Sequence, residues 1–140
     1  MLGRLCYRVL PRDGWRFRRL GWKYELTAPH SCGVQVFPGA GREVAQDGWI
    51  RLSPTGQLTI ARGYAWDGPS GPTLDTPSFM RGSLVHDALY QLMREGRLSR
   101  DWRKGADMEL RRLCLADGMS PLRAWWVYWG VRLFGGRHAR

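Results

Sequence analysis

The chain is short of cysteine, of lysine and of long apolar runs, and each shortage narrows what it can be. Its three cysteines, Cys6, Cys32 and Cys114, are odd in number and far apart. They form no CxxC pair and no Cys/His metal spacing, which argues against a disulfide framework and a structural zinc site. A reducing compartment is the simpler setting. Lysine occurs only as Lys23 and Lys104, so arginine carries the net charge of +10. Such a charge draws a protein to phosphate, in nucleic acid or on an anionic membrane. An arginine bias also follows from GC-rich coding, so the charge speaks to association and not to chemistry. No apolar stretch reaches the roughly 18 residues needed to span a bilayer. The longest, residues 124–134, is interrupted by Arg132. Residues 1–10 contain Arg4 and Arg8 and no continuous apolar core, so no signal peptide is expected.

What is present fits one domain spanning residues 1–140, 44% hydrophobic and long enough for a real core. Eight tryptophans supply large buried area or interface anchors. Period-two patterns dominate residues 1–75. Leu20, Trp22, Tyr24 and Leu26 alternate with polar or small residues, as in a half-buried strand. Val34 and Val36 suggest a short strand stopping at Pro38-Gly39. Ile50 and Leu52, then Ser53-Pro54-Thr55-Gly56, then Leu58 and Ile60 read as a hairpin. Residues 76–140 read as three helices. The first starts at Thr76-Pro77 and ends at Gly96, the second starts at Ser99 and ends at Gly118, and the third runs from Ser120-Pro121 to Gly135-Gly136. Short gaps imply antiparallel neighbours. The expected fold is α+β: an N-terminal antiparallel β meander of hairpins followed by three packed α-helices.

A polar cluster interrupts the apolar helices. His86 and Tyr90 are four apart on one helix face, and Asp87 lies three before Tyr90. Their neighbours Leu84, Val85, Ala88, Leu89 and Leu92 are apolar, so an ionisable pair there needs partners. The plainer alternatives are a satisfied core histidine and a water-facing Asp87. Reflecting Asp107 through Arg97, the centre of the inter-helix turn, lands at position 87. An antiparallel second helix therefore brings Asp107 level with His86 and Tyr90. There it can accept from one imidazole nitrogen and from the Tyr90 hydroxyl, leaving the other nitrogen as a base. The alternative is a surface carboxylate paired with Arg103 or Arg111. Ahead of the helix, Tyr64-Ala65-Trp66-Asp67-Gly68-Pro69-Ser70-Gly71-Pro72 forms a rigid, irregular loop. Asp67 with Asp87 makes an oxygen-rich set suited to a hard cation such as calcium. A tight turn with Asp67 as a cap is equally consistent with the spacing.

The run Gly63 to Pro72, then Leu84-Val85-His86-Asp87-Ala88-Leu89-Tyr90, then Ala106-Asp107 and Val131-Arg132-Leu133-Phe134-Gly135, resembles a family of short phage and prophage proteins catalogued as domain of unknown function 1353. The likeness covers about residues 58–135. It implies a phage or prophage origin, and hence the host cytoplasm or the virion, with phage structural proteins as candidate partners. It implies no activity. The His-Asp-x-x-Tyr helix followed by a helix with a lone Asp also resembles the core of bacterial and fungal secreted phospholipases A2, which have an Asp-Gly-x-Ser loop ahead of it. By that resemblance His86 would activate water, Asp107 would orient His86 and Tyr90 would support Asp107. Asp87 would bind calcium, with Asp67, Gly68 and Ser70 near the ion. The metal would polarise an ester carbonyl. Those enzymes are secreted and disulfide-held, with a cysteine close before the His-Asp pair. Here Ser83-Leu84-Val85 stands in that place.

Two other stretches suggest partners. Residues 12–23 interleave Arg16, Arg18, Arg19 and Lys23 with Trp15, Phe17 and Trp22. Such a segment can hold nucleic acid or lie on lipid, or it can be an edge strand with a basic face. Trp125, Trp126, Tyr128 and Trp129 cover more than one face of the third helix, so some lie at a surface. Three readings follow: a calcium-dependent lipid-ester hydrolase at a phospholipid or anionic membrane surface; a non-enzymatic virion or accessory protein with a structural polar cluster; and a basic nucleic-acid-binding protein.

Overall fold

A computed structural model describes residues 4–10, 22–46, 48–68 and 76–140. The basic aromatic stretch therefore lies outside the described residues except for Trp22 and Lys23, as does Ser70 of the loop. Seven short strands occupy the described first half: β1 (Tyr7–Val9), β2 (Tyr24–Leu26), β3 (His30–Gly33), β4 (Val44–Gln46), β5 (Ile50–Leu52), β6 (Gln57–Ile60) and β7 (Ala65–Trp66). They form two antiparallel sheets, ordered β1-β2-β7 and β3-β6-β5-β4. The expected hairpin is β5–β6, with Ile50 opposite Ile60 and Leu52 opposite Leu58. All four side chains are fully buried while Arg51 between them is exposed, as a half-buried antiparallel strand requires.

The strand expected around Val34 and Val36 lies earlier in the chain. Alternating burial continues from His30 to Phe37, but the ladder stops at Gly33. The Gln35 N–H turns away and donates to the Glu109 carboxylate at 2.9 Å. A helix side chain thus takes the bond that a neighbouring strand would have used.

Three helices follow: α1 (Pro77–Arg94), α2 (Arg103–Ala116) and α3 (Pro121–Phe134). Pro77 opens α1, but Thr76 makes no capping bond; its hydroxyl accepts from Arg123 instead. Ser99 caps a 3-10 turn that leads into α2, and Ser120 caps α3. Leu84, Val85, Ala88, Leu89 and Leu92 of α1 are fully buried. Truncating one of these leucines to alanine should cost about 2–5 kcal/mol.

Helices α1 and α2 run antiparallel. The pairs Arg81 with Asp117, His86 with Asp107 and Tyr90 with Arg103 step along them in opposite directions. They also lie unusually close. A Cβ at Gly82 would stand 2.8 Å from Cys114 Sγ and 3.1 Å from the Leu110 carbonyl oxygen. Only glycine permits that approach, and the approach sets the reach across which His86 meets Asp107 one turn further on.

Candidate functional site

The helix pair places His86, Tyr90 and Asp107 in one buried cluster. Asp107 is fully buried, Tyr90 is 2% exposed and His86 7%. His86 Nε2 lies 2.7 Å from Asp107 Oδ1, and the Tyr90 hydroxyl donates to the same oxygen at 2.5 Å. The two rings pack with centroids 4.1 Å apart. An ionised carboxylate only accepts, so Nε2 carries a proton and the tautomer is fixed. The other ring nitrogen, Nδ1, stands 3.8 Å from Asp87 Oδ1. That gap exceeds a direct hydrogen bond.

Asp107 does not pair with Arg103 or Arg111. Its second oxygen accepts from Arg132 Nη1 at 2.9 Å. Arg103 instead donates to the Tyr90 hydroxyl at 3.2 Å and to the carbonyls of Val131 and Arg132 at 2.7 and 2.8 Å. Those carbonyls belong to the last turn of α3, where the Gly135 N–H also reaches the Val131 oxygen. One guanidinium thus satisfies a helix end and steadies the tyrosine. Spacing alone did not reveal either arginine. The available signal was Arg132 itself, the one charge within residues 124–134, because a cation in so apolar a stretch needs a buried acceptor.

Electrostatics follow from this bonding. Burial opposes the His86 imidazolium, but the hydrogen bond to Asp107 and the nearby Asp87 carboxylate outweigh it and raise the pKa. Burial likewise opposes ionised Asp107, yet His86, Tyr90 and Arg132 together hold its pKa below the ordinary value. Asp87 moves the other way, to about 7: burial raises it, His86 lowers it, and nearby Asp67 raises it again. The Asp87 side chain keeps 31% of its surface exposed, which tempers the burial effect.

A cleft of about 1180 Å³ runs along α1 from Phe79 to Glu95. His86, Asp87, Tyr90, Asp67 and Gly68 line its middle, while Phe79, Leu110 and Val127 make one end apolar. The structure therefore brings the expected loop residues Asp67 and Gly68 to the same cleft as the histidine. Gly68 is buried with φ of 73°, and a Cβ there would come within 2.4 Å of the Tyr24 ring. Asp67 is exposed, and α1 begins at Pro77 with Thr76 before it.

Asp67 and Asp87 are the acidic pair that could hold a metal. Among the described residues, no group of three His, Cys, Asp or Glu forms a metal-type cluster. Two neighbouring carboxylates are hard oxygen donors whose mutual repulsion a cation relieves. Alone they supply fewer oxygens than the roughly six to eight that calcium takes. No family model, curated protein or solved structure matches the chain.

Proposed function

We propose that the chain is a hydrolase of lipid esters, built around a His/Asp pair of the phospholipase A2 kind, and that it acts in a phage or prophage setting. One observation carries the reading: a fully buried carboxylate fixes one nitrogen of His86 while the other lies beside a large, partly apolar cleft. His86 Nδ1 would take a proton from water as that water attacks an ester carbonyl. Asp107 would hold the ring and stabilise the imidazolium, and Tyr90 would anchor Asp107. Asp87 and Asp67, with Gly68 and Ser70 of the same loop, would hold calcium. When bound, that ion would supply Lewis-acid polarisation of the carbonyl. The apolar end of the cleft would receive an acyl chain.

The test is ester release from phospholipid vesicles with calcium present. Wild type is expected to release fatty acid, and His86→Ala to release none while keeping its circular dichroism spectrum. Equal release by both, or none by either, sinks the reading. A calcium titration checks the metal separately: saturable binding weakened in Asp87→Asn is expected, and unchanged binding removes that role.

A second reading has its own support. Arg103 and Arg132 tie α1, α2 and the end of α3 into one satisfied network. In a non-enzymatic virion or accessory protein, that network would serve to lock the three helices. His86→Ala would then lower the melting temperature with no activity to lose. A nucleic-acid role rests on charge alone; DNA affinity that fails to fall steeply with salt removes it.

A further inference from the structure

Helix α3 is apolar on the side that packs and also on the side that does not. Ala124 and Val127 are buried against the body of the protein, and Val131 is partly buried beside them. On the outer side Leu122 is 70% exposed, Trp126 66%, Trp129 44% and Leu133 70%. Their spacing of four, three and four residues makes one continuous stripe, flanked by Trp125 and Phe134. A surface helix normally turns charge outward, and a contiguous apolar patch marks an interaction site.

The charge on α3 and the residues after it is of one sign. Residues 121–140 hold Arg123, Arg132, Arg137 and Arg140 and no aspartate or glutamate. The patch is also continuous with the candidate site, since Trp126, Phe134, Arg123 and Arg137 line the rim of the cleft. No described helix is long and apolar enough to cross a membrane. A helix of 14 residues with indole rings and arginines outward suits the plane of a headgroup layer.

We propose that the outer face of α3 docks on an anionic lipid bilayer, with Leu122, Trp126, Trp129 and Leu133 in the interface and Arg137 and Arg140 among the headgroups. Docked in this way, the protein turns the rim of its cleft to the lipid. The docking stands on the α3 surface; only its purpose, delivery of lipid to His86, rests on the hydrolase reading. The exposed arginines after α3, Arg137 and Arg140, favour an anionic surface over a second copy, whose matching face would repeat them.

Vesicle co-sedimentation tests this. Wild type is expected to bind vesicles of mixed phosphatidylcholine and phosphatidylglycerol, and to bind phosphatidylcholine alone at least about tenfold more weakly. Binding should weaken severalfold between about 0.1 M and about 0.5 M salt. Trp126→Ser with Trp129→Ser, and separately Leu122→Ser with Leu133→Ser, should each weaken anionic binding at least about tenfold with unchanged thermal melts. Absence of vesicle binding, or binding by both double variants equal to that of wild type, overturns the proposal. So does a concentration-dependent dimer that the same substitutions dissociate. Binding without ester release sinks the hydrolase reading alone. Release from a soluble short-chain ester without vesicle binding sinks the docking alone.

Discussion

Removal of the Arg132 guanidinium should unsettle the cluster more than its place near the end of a helix suggests. Asp107 has no exposed surface, and its Oδ2 accepts from Arg132. Arg132→Met keeps an apolar stem in place but leaves that oxygen without its donor. Breaking a buried ion pair from one side costs about 3–5 kcal/mol. The Arg132 side chain is 25% exposed, so solvent offsets part of the loss and about 2–3 kcal/mol is expected. For a domain of this size that lowers the melting temperature by about 6–15 °C. Urea unfolding should show the same loss at an unchanged slope. Arg132→Lys should fall between, because lysine restores charge without the planar fork. A double-mutant cycle isolates the pair. In an Asp107→Asn background there is no buried charge to neutralise, so Arg132→Met should cost less there by about 1–3 kcal/mol. A melt within about 1 °C of wild type, or strict additivity in the cycle, would show that Asp107 does not depend on Arg132.

Three further outcomes are expected. Gly82→Ala should destabilise the protein, because a Cβ 2.8 Å from Cys114 Sγ and 3.1 Å from the Leu110 carbonyl puts the clash at about 2–3 kcal/mol, above the roughly 1 kcal/mol gained in helix propensity; an equal or higher melting temperature refutes the close packing. His30 is buried, its Nε2 has no hydrogen-bond partner among the described residues, and burial followed by Arg81 lowers its pKa. The unfolded chain therefore binds the proton more readily, so this contribution to stability is complete above pH 6.5 and declines as pH falls below it. His30→Phe should remove that decline, and identical pH slopes for variant and wild type in urea melts would contradict it. Among the cysteines, burial pushes Cys32 to about 11 and Cys114 to about 12, whereas Cys6 is exposed; native labelling at pH 8 should therefore modify one thiol quickly, and fast reaction of three would refute the burial.

The readable parts of the sequence were those where local spacing fixes geometry. The hairpin at Ile50–Ile60 follows from alternation on both sides of a turn. The meeting of His86 with Asp107 follows from two helices joined by a short connection, since an antiparallel return leaves little choice of register. Where geometry depends on packing across the fold, spacing gives no such guide. The pairing of Tyr24 with Trp66 joins strands some forty residues apart and depends on which sheets α1 covers. Arg132 reaches Asp107 from another helix, 25 residues further along the chain. The strand at β3 ends where Glu109, on a distant helix, captures the Gln35 N–H. Period-two alternation cannot register that event, because Val34 and Val36 remain buried either way.

Arg103 and Arg132 give the three-helix network a thermodynamic consequence. Arg132 is part of α3, and Arg103 grips the carbonyls at its end. The position of α3 and the proton affinity of the Asp107 cluster are therefore linked quantities. Linkage runs equally in both directions. Whatever shifts α3 by engaging its outer surface must alter the field at His86, and a ligand that favours one charge state of that histidine must alter by the same factor how readily α3 is engaged.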